Sequence, residues 1–203
     1  MQTIFWDLGG VLLTNGWDRA ARARACARLD LDCNDFEDRH EQVVGDFETG
    51  RMDLHTYLDR TVFFEPRPFA ETDFRAFMFE QSRENPEMLD LVRRLRARRE
   101  YRLAVINNES LELNAYRIER FRLRECFSLF FSSCFVRLRK PDPRVYQLAL
   151  DVTQTPTGAA VLVDDRAINV EAARRLGMQA IHFQDLRQLR CSMADLGVRL
   201  PEG

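Results

Sequence analysis

Several places in this sequence set charged or amide side chains at or just after the end of a short apolar run. Asp7 follows Thr3-Ile4-Phe5-Trp6, Asn107 and Asn108 follow Leu103-Ala104-Val105-Ile106, and Asp164 and Asp165 follow Ala160-Val161-Leu162-Val163. Lys140 stands a few residues beyond a further run, Ser128-Leu129-Phe130-Phe131. Carboxylates gathered in one place repel one another unless a cation lies between them. A hard ion with oxygen ligands suits them, and Mg²⁺ is the usual choice beside phosphate. Lys140 would hold down negative charge on both a carboxylate and an anionic substrate. Asn107 offers side-chain donors, and the turn Leu8-Gly9-Gly10 offers backbone N–H groups, both suited to oxyanions. Gly9 and Gly10 lack a Cβ, so the backbone there admits close approach. Each feature alone has a plain alternative: Asp7 as a turn residue, Asp164-Asp165 as a helix cap, Lys140-Pro141 as an ordinary loop. Their placement at successive strand ends favours one shared site.

The elements that would carry these groups follow from the pattern of apolar residues. Short apolar runs bounded by polar turns read as buried strands, and a fifth spans Gln179 to His182. Between the runs lie helical stretches. Asn85 caps one that starts at Pro86, Asp142 caps another that starts at Pro143, and Gly177 closes one that follows Asp165. A further helix fits near residues 110–121. Near-continuous apolar strands alternating with helices predict an α/β fold, a Rossmann-like doubly wound parallel sheet covered on both faces. Ligands in such a sheet bind at the carboxyl ends of the strands.

Residues 15–84 interrupt this alternation with helical stretches near 17–30, 35–48, 53–64 and 69–83. Asn34 with Glu37 three residues later resembles a capping box, and Thr49-Gly50 is a break. The expected organisation is a core domain of residues 1–14 and 85–203 and a helical cap domain of residues 15–84. Asn15-Gly16 and Asn85-Pro86 are the candidate hinges. Trp17, Phe47 and Phe63 are candidates to line a pocket, although aromatic residues at helical spacing are more often core.

Composition narrows the function classes. The chain has 203 residues, 45% of them hydrophobic, and a net charge of −2, which disfavours a general nucleic-acid binder. The arginines of 93–102 sit on a stretch whose apolar members, Met88, Leu89, Leu91, Val92 and Leu95, recur at helical spacing, so they read as the wet side of a helix. No apolar run approaches the roughly 20 residues of a membrane span, and no leader precedes Ile4. Five scattered cysteines without a CxxC pair suggest reduced, buried thiols and a cytoplasmic protein. His40 and His55 lack metal-ligand spacing, and His182 reads as structural. Oligomeric state is open.

The sequence resembles the haloacid dehalogenase-like hydrolase superfamily. The resemblance rests on Phe5-Trp6-Asp7-Leu8-Gly9-Gly10-Val11-Leu12, Ala104-Val105-Ile106-Asn107-Asn108, Arg139-Lys140-Pro141-Asp142-Pro143, and Val163-Asp164-Asp165 with Asn169 and the helix to Gly177. The branch it is most similar to holds small-sugar phosphatases and the phosphatase domains of epoxide hydrolases. The resemblance implies that Asp7 is a nucleophile forming a covalent aspartyl intermediate and that Lys140 neutralises charge. It further implies that Asp164, with Asp165, holds Mg²⁺ together with Asp7 and the carbonyl of Gly9. Asn107, Asn108, Gly9 and Gly10 would meet the phosphate of a small phosphorylated metabolite.

Two positions depart from the pattern. Most phosphatases of the family carry a second Asp, an acid and base, two residues after the nucleophile, and here Gly9 stands there, as in some members of the sugar-phosphatase branch. The second signature usually supplies Ser or Thr, and here it is Asn107. Acid–base help contributes about 10²–10⁴-fold, or roughly 3–5 kcal/mol of barrier. Its loss keeps two alternatives in view. A 2-haloacid dehalogenase releases halide without protonation but wants an arginine near the first loop, where Arg19 is nearest. A degenerate relative would bind a ligand without turnover.

Overall fold

The computed structural model describes residues 2–201. In chain order these form β1 (Thr3–Trp6), α1 (Arg19–Leu29), α2 (Cys33–Glu48), α3 (Leu54–Thr61), α4 (Glu71–Glu80), α5 (Pro86–Arg98), β2 (Arg102–Asn107), α6 (Leu111–Arg120), β3 (Leu129–Ser132), α7 (Ser133–Val136), α8 (Pro143–Thr153), β4 (Ala160–Asp164), α9 (Ala167–Arg175), β5 (Gln179–His182) and α10 (Leu186–Asp195). The strands join in one parallel sheet of order β3-β2-β1-β4-β5. Alternation along β1 feeds two layers. Ile4 and Trp6 pack with Met88, Val92 and Leu95 of α5 and with Leu189 and Met193 of α10, whereas Phe5 packs with Tyr146 of α8 and Val170 of α9. The fold is the Rossmann-like α/β architecture that the strand pattern predicts. Its strand order reverses between β1 and β4, which opens a crevice at their carboxyl ends.

Local chemistry sets the element ends. Asn85 accepts from the Met88 N–H at 3.5 Å with Pro86 as the first helical residue, and Asp142 accepts from Arg144 N at 2.9 Å ahead of Pro143. Gly177 follows α9 at φ +86°, a left-handed conformation open to glycine. The Asn34–Glu37 capping box does not form. Asp32 caps α2 instead, accepting from Asn34 N at 2.9 Å, so the helix starts one residue before Asn34. The helices expected over 53–64 and 69–83 are shorter, and Phe63 and Phe64 lie beyond α3. The apolar face of α5 is buried as its spacing predicts, leaving its arginines outward. Cys26, Cys126 and Cys134 are buried and free, but Cys33 is half-buried and Cys191 exposed, against the expectation of uniformly buried thiols. Among the described residues no helix is long and apolar enough to cross a membrane.

Helices α1–α4 gather around their own aromatic cluster of Trp17, Phe36, Phe47, Tyr57 and Phe74. The chain enters this bundle after Leu13 and leaves it before Glu84, and these two residues face each other in an antiparallel bridge. Thr14 N donates to Arg83 O and Asn85 N to Leu12 O, both at 2.8 Å. Arg117 of α6 ties both linkers to the sheet side, donating to Ser82 Oγ at 3.0 Å and to Thr14 O at 2.9 Å. Gly16 adopts φ +70°, and a Cβ there would lie 1.8 Å from an Arg117 nitrogen, so this tie requires glycine.

Within the cluster, Trp17 Nε1 donates to Tyr57 Oη at 2.9 Å, and Tyr57 Oη lies 2.8 Å from His40 Nδ1. Tyr57 therefore has its own O–H to give to an unprotonated Nδ1. Burial, with the Arg22 charge adding, pushes His40 down from 6.5 to about 4. The unfolded chain takes up this proton first, so the stability from neutral His40 is present above about pH 6.5 and lost as pH falls towards 4. The loss should reach roughly 3 kcal/mol. Urea unfolding at pH 7 and pH 4.5 is expected to show a steeper drop for the parent than for His40→Gln; equal drops would contradict this.

Candidate active site

Strand register builds the site. Trp6 pairs with Val163, and Asp7 N donates to Val163 O at 2.9 Å, so the residues following each, Asp7 and Asp164, stand side by side at the crevice. Lys140 reaches between them from the loop before α8. Its Nζ lies 2.8 Å from Asp7 Oδ2 and 2.6 Å from Asp164 Oδ2, and all three residues are buried. The remaining oxygens are oriented too. Asp7 Oδ1 accepts from Leu8 N at 2.8 Å, and Asp164 Oδ1 accepts from Arg166 N and Asn169 Nδ2, both at 2.9 Å.

Asp165 completes the group: one oxygen each from Asp7, Asp164 and Asp165 lie within 4.8 Å of one another. Asp165 Oδ1 is buried without a hydrogen-bond partner among the described residues. Three ionised carboxylates against one ammonium leave a charge of −2. Burial pushes Asp7 up to about 7, with Lys140 opposing and Asp164 adding to the rise. Burial also raises Asp165, and the Asp164 charge adds to it. Burial alone would lower Lys140, but its two carboxylate partners hold it above its ordinary value, so it stays charged. An oxygen-rich, over-negative, partly unsatisfied cluster fits a hard divalent cation. Gly10 sits behind it at φ +70°, where a Cβ would lie 2.1 Å from Asp165 Oδ2. Gly9 is at the cavity wall.

A cavity of about 400 Å³ opens over these groups, walled on one side by Asp7, Lys140 and Asp165 and on the other by residues of the helical insertion. Trp17 and Phe47 reach it, as does Arg19 at the start of α1, whereas Phe63 packs away against Phe69 and Phe74.

The asparagines sit differently from their expected place at a phosphate. Asn107 is buried and does not line the cavity. It donates from Nδ2 to Asn114 Oδ1 at 3.0 Å and accepts at Oδ1 from Ser132 Oγ at 2.7 Å. Asn108 is at the cavity wall, but its carboxamide clamps the Lys140 backbone, accepting from Lys140 N at 2.8 Å and donating to Lys140 O at 2.9 Å. Both amides therefore organise the site from behind. Sequence reading missed Glu48, Glu109 and Arg117. Glu109 directly follows the Asn107-Asn108 pair, a usable signal. Glu48 belongs to the insertion, and only its folding back over the sheet brings it to the cavity.

Residues 1–177 match the family model described as haloacid dehalogenase-like hydrolase. The chain belongs to this family. The flavin mononucleotide hydrolase 1 of Arabidopsis thaliana is 26% identical to this family member over 165 residues, covering 81% of this chain and 66% of that protein. The bifunctional epoxide hydrolase 2 of Sus scrofa is 25% identical over 213 residues, covering 91% and 37%. This haloacid dehalogenase-like hydrolase thus spans less than two thirds of the length of these curated relatives. A family enzyme of Bacteroides thetaiotaomicron, solved in complex with magnesium and inorganic phosphate, shares its fold with a TM-score of 0.75 at 18% identity, covering 93% of this chain and 98% of that one.

Proposed function

We propose that this hydrolase is a Mg²⁺-dependent phosphatase of a small phosphorylated metabolite, with Asp7 as its nucleophile. The observation that carries the reading is the bridge from Lys140 to Asp7 and Asp164 beside the unsatisfied Asp165 oxygen. The name of one relative, a sesquiterpene phosphatase of Aspergillus oryzae, describes phosphatase chemistry, and the flavin mononucleotide hydrolase is named for a phosphorylated compound.

Asp7, Asp164, Asp165 and the Gly9 carbonyl would hold the ion, which when bound supplies positive charge to the phosphoryl oxygens. The protein's own groups do the rest. Leu8 N fixes Asp7 Oδ1, and Asn169 and the Arg166 amide fix Asp164. Lys140 opposes the rise that burial imposes on Asp7 and would face the incoming phosphate. With the Leu8 amide engaged by Asp7, the Gly9 and Gly10 amides of the turn would meet the phosphoryl oxygens. Asp7 attacks phosphorus, the ester oxygen leaves, and water then releases phosphate from the aspartyl-phosphate.

Residues 15–84 act as the cap over a core of residues 1–14 and 85–203. Their aromatic cluster, joined from the core side by Leu113 and Tyr116 of α6, and the paired linkers at Leu13 and Glu84 support this division, with bending at Asn15-Gly16 and Asn85-Pro86. Closure would exclude water from the aspartyl-phosphate.

A screen of phosphorylated sugars, flavin mononucleotide and acetyl phosphate with and without Mg²⁺ tests the activity. Phosphate release from none of them would end the reading. Metal binding has its own readout. Mg²⁺ at about 100 times its dissociation constant should add about 2.7 kcal/mol, raising Tm by roughly 5–10 °C, and Asp165→Asn should shrink that shift. No shift in the parent would speak against the ion.

Gly9 favours a second reading, a 2-haloacid dehalogenase, because halide leaves without a proton; Arg19 at the cavity wall is its candidate halide partner. Halide release from chloroacetate without metal would establish it, and strict Mg²⁺ dependence would remove it.

A further inference from the structure

Gly9 leaves the first loop of the proposed phosphatase without a proton donor, and an alcohol leaving from phosphorus needs one. We propose that Glu48, carried by the helical insertion, is the acid and base of this site: it protonates the departing ester oxygen and then deprotonates the attacking water. The proposal rests on the phosphatase reading above.

Among the described residues five acids wall the cavity, and four of them are committed. Asp7 is the proposed nucleophile, and Asp165 belongs to the ion cluster. Asp18 caps α1, accepting from Ala21 N at 2.8 Å. Glu109 has both oxygens engaged, Oε2 2.9 Å from Arg117 Nη1 and Oε1 accepting from Ser110 N at 2.9 Å. Glu48 differs. Its charged partner is Arg139, with Nη1 3.1 Å from Oε2, yet that nitrogen has no hydrogen bond of adequate geometry. Among the described residues the Glu48 carboxyl accepts no hydrogen bond and keeps 29% of its side chain exposed. It is therefore open to a ligand in the same space as Asp7 and Lys140.

Its position is fixed by backbone. Ser133 Oγ donates to Glu48 O, and Arg137 Nη1 donates to Thr49 O, both at 2.6 Å. Gly50 permits this contact: at φ +64° a Cβ would lie 2.6 Å from Cys134 O. The end of α2 is thus pinned to the sheet side by groups close to Lys140 in sequence, and Glu48 is held over the site from the insertion. Burial raises the Glu48 carboxyl above its ordinary value, with Arg139 opposing, which leaves it a better proton donor near neutral pH than an exposed glutamate.

The steps balance. An Asp7 oxygen bonds to phosphorus as the P–O(ester) bond breaks, and the leaving oxygen takes the Glu48 proton. Water then gives a proton to the Glu48 carboxylate as its oxygen bonds to phosphorus. The P–O(Asp7) bond breaks, returning Asp7 as carboxylate with inorganic phosphate.

The test is Glu48→Gln with Mg²⁺ present, on p-nitrophenyl phosphate and on an alcohol phosphate such as a hexose 6-phosphate. Nitrophenolate leaves without a proton, so the variant should give a rapid burst stoichiometric with enzyme, followed by turnover slower than the parent by about 10²–10⁴-fold. The alcohol phosphate should show the same slow turnover and no burst. Unchanged turnover on both, or loss of the nitrophenol burst together with turnover, overturns the proposal. So does a burst from Glu109→Gln in place of Glu48→Gln. Absence of phosphate release by the parent on every substrate would instead defeat the phosphatase reading, and the proposal with it.

Discussion

Asp7→Asn protein is expected to fold as the parent does and to lose phosphate release by on the order of 10⁵-fold or more, since removing a covalent nucleophile leaves only binding and charge stabilisation. The substitution keeps the side chain's shape and its acceptor oxygen for Leu8 N. Lys140 keeps Asp164 as a partner at 2.6 Å, so no buried charge is stranded. Burial already pushes the Asp7 carboxyl up to about 7, so replacing it by a neutral amide relieves a desolvation cost. Urea unfolding should therefore place the variant within about 1–2 kcal/mol of the parent. Retained phosphate release by a folded Asp7→Asn protein would reject the aspartyl mechanism. If parent and variant are equally inert yet bind Mg²⁺ and phosphate, the chain is a binding member of its family.

The largest stability effect is expected at Lys140. Its ammonium pairs with both Asp7 and Asp164, and all three residues are buried. Lys140→Met keeps much of the volume and removes the charge. Breaking a buried pair from one side costs about 3–5 kcal/mol, because the partners stay behind uncompensated. Without Lys140 the Asp7 carboxyl, already raised by burial, loses the charge that opposes the rise, so its folded-state value moves further above the unfolded one. A group shifted in that direction contributes most stability below its unfolded value and loses it as pH rises. The Lys140→Met deficit should therefore widen between pH 5 and pH 8, and Mg²⁺ should recover part of it by supplying the missing positive charge. Urea unfolding at both pH values, with and without Mg²⁺, measures this. A variant as stable as the parent at pH 8 without metal would show that the three side chains do not depend on one another. Phosphate release should fall with stability corrected for if Lys140 also faces the phosphate, as proposed.

Short apolar runs with polar ends sufficed to reveal the strands of the sheet, because parallel strands covered on both faces, the central β1, β2 and β4 above all, have little solvent face to confuse the pattern. The caps at Asn85 and Asp142 and the stop at Gly177 were legible for the same local reason: each satisfies backbone groups within three or four residues of itself. The Asn34 cap was misread because Asp32, two residues earlier, competes for the same orphan amides and wins. The candidate residues Asp7, Asp164 and Asp165 stand at or just past the ends of β1 and β4, where an apolar run meets a polar turn, and Lys140 lies in the loop before α8, so each could be picked out locally.

What the tertiary structure decided is everything that depends on which distant groups meet. Whether the asparagines point at the cavity is set by Ser132, Asn114 and the Lys140 backbone, none of them neighbours of Asn107-Asn108 in sequence. Glu48 became a candidate acid only because the end of α2 is pinned onto α7 and the residue that follows it. Local pattern reports how a segment satisfies its own backbone and buries its own face. The company a polar side chain keeps is fixed by contacts across long stretches of chain, and only the folded register and the docking of the helical insertion determine those.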